Sequence, residues 1–128
     1  MVLIDTDVLI ECLRGSINAK EWLAALEDSA FAIPAVVAME LVMGCRNQSE
    51  LQHMRKFLES VSIAWPEASE FELSYRLLLA YRLSSGLSIP DLLIAAVAIS
   101  RKARLYTFNL KHFQVVDGLD AEPPYQRP

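Results

Sequence analysis

Cysteine is nearly missing from this sequence. Cys12 and Cys45 are the only two, and no Cys-x-x-Cys pair occurs. That excludes a disulfide framework and a thiolate zinc site, so both are read as reduced, buried thiols. Long apolar runs are missing too. Residues 31–45 are interrupted by Pro34 and Glu40, and residues 87–99 by Pro90 and Asp91. Neither reaches the ~20 uninterrupted apolar residues of a membrane-spanning helix. The segment Met1 to Asp5 has no basic signal-peptide region, so a cytosolic (cytoplasmic) protein with no membrane association is expected. The third absence is an excess of positive charge: 12 Lys and Arg stand against 16 Asp and Glu, a net charge of −4. A nucleic-acid binder usually carries a basic footprint. The balance therefore counts against one, unless the acids gather where metal ions sit or a partner protein supplies positive charge.

What is present is apolar. The hydrophobic fraction is 53% and the mean hydropathy +0.26, which implies buried helices, a mostly buried sheet, or an apolar surface kept for a partner. No repeat, low-complexity tract or linker divides the 128 residues, so a single domain over residues 1–128 is expected.

Short apolar runs alternate with helical periods along the chain. Residues 2–6 read as a strand, 7–13 as a helix ended by Gly15, and 16–27 as a second helix with Trp22, Leu23 and Leu26 on one face. Residues 31–33 form a strand stopped by Pro34, and 35–43 a helix stopped by Gly44. Residues 48–59 carry a buried stripe of Leu51, Met54 and Leu58. Then come a strand at 61–63, a long helix at 67–85, an apolar helix at 90–102, a strand at 105–107, a helical turn at 110–113 and a last strand at 114–116. Strands alternating with helices predict an α/β fold: a three-layer α/β/α sandwich with a mostly parallel central sheet of four to five strands. In such sheets the site lies at the carboxyl ends of the strands.

That rule selects the acids. Asp5 ends the first strand; capping the next helix is the competing role, and Asp7 suits it better. Glu40 sits among Val36-Val-Ala-Met39 and Leu41-Val-Met43, where burial without a partner or metal is expensive, unless helical rotation turns it to solvent. Asp91 opens an apolar helix within Ser88-Ile-Pro-Asp91, a capping-box pattern that also points its carboxylate out of the helix start. Asn109 follows a strand and could merely cap the next turn. Taken alone, Thr107 is an ordinary strand residue and His112 a surface or partly buried histidine. Together, Asp5, Glu40, Asp91 and Asn109 fall on one edge of a parallel sheet. Two carboxylates at 4 Å repel by about 4 kcal/mol at an effective dielectric of ~20, so they share protons or bind a cation. Oxygen ligands without histidine or thiolate suit Mg²⁺ or Mn²⁺, ions that act on phosphate esters.

The segments Leu3-Ile-Asp-Thr-Asp-Val-Leu-Ile10, Ala38-Met-Glu-Leu-Val-Met-Gly44, Gly86-Leu-Ser-Ile-Pro-Asp-Leu-Leu-Ile-Ala-Ala96 and Leu105-Tyr-Thr-Phe-Asn-Leu-Lys-His-Phe113 resemble, in order and spacing, the PIN-domain family and its VapC toxins. The resemblance implies a metal-binding acidic cluster at Asp5, Glu40 and Asp91. At the fourth position, often Asp, stands Asn109. It implies a site hydroxyl at Thr107 and endonucleolytic hydrolysis of RNA with Mg²⁺ or Mn²⁺. It also implies homodimerisation and a cognate antitoxin. Arg14, Arg46, Arg101, Lys102, Arg104 and Lys111 are candidate RNA contacts, each also readable as a solvated surface charge. Arg14 and Lys111 stand first because they follow strand-end motifs. Trp22 and Trp65 are assigned to core or interface.

Two other readings remain open. Asp5-Thr-Asp7-Val8 matches the first motif of haloacid-dehalogenase phosphatases, with Asp5 as nucleophile and Asp7 as acid/base, although the late acidic pair would have to be Asp117 and Asp120. A non-catalytic RNA-binding module of the same fold is the other.

Overall fold

The computed structural model describes residues 1–26, 30–83 and 86–127. Five parallel strands, β1 (Val2–Ile4), β2 (Phe31–Pro34), β3 (Ile63–Ala64), β4 (Arg104–Tyr106) and β5 (Ala121–Glu122), lie in the order β3-β2-β1-β4-β5. β1 occupies the centre. Val2 faces Phe31 of β2 on one side and Arg104 of β4 on the other. Burial on both sides explains why Leu3, Ile4, Ile33 and Leu105 are all fully buried; strands covered on both faces read as continuous apolar runs.

Among the described residues seven helices flank this sheet: α1 (Thr6–Leu13), α2 (Ile17–Ala25), α3 (Ala35–Met43), α4 (Gln48–Glu59), α5 (Ala68–Tyr81), α6 (Ile89–Ser100) and α7 (Leu110–Phe113). α6 is buried all along Leu92–Ala98, which accounts for its lack of polar positions. Ser88 and Asp91 close the expected capping box at its start: the Ser88 hydroxyl accepts from Asp91 N at 3.2 Å, and Asp91 Oδ2 accepts from Ser88 N at 3.1 Å. Against α6 packs α5, whose Glu70 is only 2% exposed. Its carboxylate receives both Nε and Nη2 of Arg101 at 2.9 Å, and Nη2 also donates to Trp65 O at 2.7 Å.

The structure corrects several expectations. The last strand is not 114–116. Gln114 caps α7 with local bonds, and Val116 N donates to Phe113 O. Phe113 and Val116 plug the core from this turn while Val115 is exposed. Two adjacent β-branched residues mimicked a strand, but local anchoring won. Gly118, at φ 83°, then takes a conformation other residues avoid, and the chain returns as β5 beside β4. β3 is Ile63–Ala64 rather than 61–63. β1 stops at Ile4 because Asp5 already caps α1. Trp65 is 68% exposed, which leaves of its two expected places the interface and not the core, whereas Trp22 packs edge-on to Tyr106 at 5.0 Å. Cys12 is buried, but Cys45 only half-buried. The expected helix end at Glu27, and that at Ser84 and Ser85, lie outside the described residues.

Candidate active site

The strand order reverses beside β1: its neighbours are β2, met next in the chain, and β4, met much later. A crevice opens at the carboxyl ends where such a reversal occurs. Asp5 stands there, 8% exposed, with its N–H on Tyr106 O at 2.9 Å. Its Oδ1 accepts from Thr6 N at 2.8 Å and its Oδ2 from the Thr107 hydroxyl at 2.8 Å. Thr107 is fully buried, and its oxygen also accepts from Asn109 N at 2.9 Å. An apparently ordinary strand residue thus ties the ends of β1 and β4 together through the carboxylate. The cap role expected for Asp7 belongs to Asp5. Asp7 sits in the first turn of α1 and reaches across to Phe108 N, which donates to its Oδ2 at 3.1 Å.

Asp5, Asp7, Glu40, Asp91 and Asn109 line one cleft of about 370 Å³. Glu40 is exposed, not buried as its apolar neighbours implied. Rotation along α3 turns it out of the core, with Met39 and Met43 exposed nearby. Asp91 is half-buried; the carboxylate that closes the capping box also borders the cleft, so the two competing roles coexist. Asn109 Nδ2 lies 3.0 Å from His112 Nδ1, and Asn109 makes no side-chain cap bond to α7.

The charges strain one another. Burial pushes the Asp5 carboxyl above its ordinary value; hydrogen bonds from Thr107 and Thr6 pull it back, and Asp91 adds repulsion. Asp7 is raised to about 6, first by burial and then by Asp5. Glu40 is raised by the partial desolvation of its carboxyl at the cleft and then by Asp5, with Asp91 contributing; the Thr6 hydroxyl nearby opposes, although no hydrogen bond of sound geometry joins them. Crowded anions of this kind favour a proton or a cation.

Two buried oxygens here lack any hydrogen-bond partner: Thr6 Oγ1 and Asp7 Oδ1. Orphaned buried oxygens are costly and call for an explanation; a hard cation and its waters supply one. Among the described residues, no three His, Cys, Asp or Glu side chains stand close enough to cage an ion by themselves. That suits Mg²⁺-like binding, in which one or two carboxylates are completed by water and substrate phosphate. The donor set therefore fits a divalent cation.

The basic residues divide. Arg14 lines a larger groove of about 770 Å³ that shares Ile10 and Glu40 with the cleft. Arg46 lines it too, ion-paired with Glu50 at 2.9 Å. Arg101 is committed to Glu70, and Arg104 to Asp120 and Glu122, so both serve the fold. Lys102 and Lys111 are exposed; Lys111 borders neither cavity. One cation at the cleft escaped the sequence reading: Arg127. It lies more than a hundred positions from α1, and no motif surrounds it. Phe108, between Thr107 and Asn109, lines the cleft too, and as a lone apolar residue it carries no signal in the sequence.

The profile of the PIN domain matches residues 2–119. The chain belongs to the PIN-domain family. It is 38% identical over 130 residues to Ribonuclease VapC19 of Mycobacterium tuberculosis, covering 98% of this chain and 100% of that protein. It is 33% identical to Ribonuclease VapC10 of the same organism, covering 100% and 96%. Among solved structures, a toxin-antitoxin complex from Klebsiella pneumoniae aligns with a TM-score of 0.82 and 29% identity, over 99% of this chain and 100% of that one. PIN-domain VapC ribonucleases are generally dependent on a divalent metal. Membership in the PIN-domain family and the bonding of Asp5 both weigh against the phosphatase reading. Both Asp5 oxygens are held by donors, and Asp120 is paired with Arg104 away from the cleft.

Proposed function

We propose that this chain is an endoribonuclease, the toxin of a toxin–antitoxin pair, which hydrolyses RNA phosphodiester bonds in the cleft at the end of β1. The carrying observation is the gathering of Asp5, Asp7, Glu40 and Asp91 in one cleft, with three of the four carboxyls raised, on a PIN domain. The whole of residues 1–128 serves as that single domain.

Asp5, Glu40 and Asp91 are the carboxylates that would hold Mg²⁺ or Mn²⁺, one or two of them directly and the rest through water, with Asn109 as a neutral neighbouring donor. Such a cation, when bound, lowers the pKa of water and neutralises charge developing on a phosphate. Thr107 fixes one oxygen of Asp5 and the Thr6 N–H the other, so the carboxylate is oriented before substrate arrives. Asp7, raised to about 6, is the group best matched to hold or release a proton near neutral pH. Arg14, beside the adjoining groove, and Lys111, two residues past Asn109, meet RNA backbone outside the cleft. The protein works in the cytoplasm as a homodimer, and a cognate antitoxin binds it; no helix among the described residues is long and apolar enough to cross a membrane.

The test is cleavage of purified total RNA by wild type and Asp5→Asn, with and without EDTA. The expected result is cleavage by wild type alone, stopped by EDTA and restored by Mg²⁺ or Mn²⁺. Undiminished cleavage by Asp5→Asn removes the site assignment, and indifference to EDTA removes the metal. Intact RNA in every lane favours the non-catalytic module.

A further inference from the structure

The cleft of acids has one residue of opposite charge in its lining, Arg127. It belongs to the segment after β5, beyond residues 2–119 that match the PIN profile. Four contacts hold this segment, two to Glu11 of α1 and two to the ring of Phe108. The Tyr125 hydroxyl donates to Glu11 Oε1 at 3.1 Å, and Arg127 Nη1 donates to Glu11 Oε2 at 3.0 Å. The Tyr125 ring meets Phe108 edge-on at 5.4 Å. The Arg127 guanidinium itself lies over the Phe108 ring, 3.9 Å from its centroid. Phe108 is not a passive surface: its N–H is the one that binds Asp7, and its chain neighbours are Thr107 and Asn109.

The arginine is thus oriented by a carboxylate and an aromatic face, yet makes no ion pair with Asp5, Asp7, Glu40 or Asp91 among the described residues. Its side chain is 52% exposed. A guanidinium in this state keeps donors of its rigid fork for a planar, bidentate acceptor, and stacking on a ring reduces the freedom it loses on binding. The chain also needs such a group. With a net charge of −4 it must draw a polyanion towards a cluster of carboxylates.

We propose that Arg127 is a substrate-binding residue that grips a backbone phosphate of RNA at the mouth of the cleft, with Phe108 and Glu11 as the residues that position it. This rests on the ribonuclease reading of the cleft. It accounts for how a chain without a basic surface excess can present RNA to the acids.

The experiment compares wild type, Arg127→Ala and Arg127→Lys on one labelled single-stranded RNA. Cleavage is followed with divalent ion present. Binding is followed by fluorescence anisotropy in an Asp5→Asn background over a salt series, so that the RNA stays whole. Arg127→Ala is expected to raise KM about tenfold with kcat within about twofold, as loss of uniform binding does. The slope of log affinity against log salt should shrink by about 0.7, the share of one single-strand phosphate contact. Arg127→Lys should keep the slope and recover part of the affinity. Unchanged KM, affinity and slope overturn the proposal. Faster cleavage by Arg127→Ala overturns it too, making the segment an inhibitory strap. If wild type leaves RNA intact, the ribonuclease reading fails on its own, and the binding arm still decides whether Arg127 meets phosphate.

Discussion

Asp7 gives the sharpest quantitative test of the electrostatics. Burial first, and repulsion from Asp5 second, lift its carboxyl from 3.8 to about 6. An acid whose folded value exceeds its unfolded value stabilises the fold by being protonated. That stabilisation is fully present below the unfolded value, 3.8, and is lost as pH rises through about 6. Each pH unit of such a rise is worth about 1.4 kcal/mol, giving about 3 kcal/mol for a sealed site. Asp7 is only half-buried, so solvent screening reduces this to about 1.5–2 kcal/mol. Asp7→Asn removes the charge and keeps an oxygen to accept the Phe108 N–H. In urea unfolding with EDTA present, the variant should exceed wild type by that amount near neutral pH, and the two curves should converge in acid. Added divalent ion should narrow the gap by binding the charged cluster of the folded wild type. Curves that run parallel at all pH values, or a variant weaker than wild type at neutral pH, would refute the reasoning.

Thr107→Val preserves shape but deprives Asp5 Oδ2 of its donor and Asn109 N of its acceptor. Loss of a hydrogen bond to a charged group should cost about 1.5–3 kcal/mol in urea unfolding. It should also move the acid limb of the cleavage pH profile upward, because a lost donor raises Asp5 further; an unmoved limb would detach Thr107 from the chemistry. Asp91→Asn keeps an acceptor for Ser88 N and should abolish cleavage with melting nearly unchanged; cleavage at wild-type rate would leave Asp91 a cap alone. Arg101→Ala strands the buried Glu70 carboxylate and should lower stability by about 2–4 kcal/mol, since removing one partner of a buried pair leaves an uncompensated charge. Arg104→Ala, whose two acidic partners are both exposed, should change stability by less than about 1 kcal/mol. Equal losses from the two arginine variants would contradict this division between buried and surface pairs.

Several features were legible in the residues alone because they depend on local periodicity and on which strand end a residue follows. The alternation of strands and helices, the capping box at Ser88 and Asp91, and the placing of Asp5 and Asn109 at one edge are of this kind. The parallel order of the strands turns chain position into spatial position, so a motif after a strand lands at the site. Other features depend on rotation and on distant chain, which periodicity does not encode. Glu40 looked buried from its neighbours, but the angle of α3 against the sheet exposes it. Val115-Val116 carried strand propensity, but Phe113 and Val116 were needed as plugs, and β4 took Ala121–Glu122 as its partner instead. The family resemblance marked Thr107 as a site hydroxyl, but its partner, the Asp5 carboxylate 102 positions away and 2.8 Å from that hydroxyl, is set by the fold. Arg127 reaches the cleft because Glu11 and Phe108, brought together by the fold, hold its guanidinium there. The sequence determined which acids could meet; the packing of α1, α3 and the segment after β5 decided how they are buried, and what charge stands beside them.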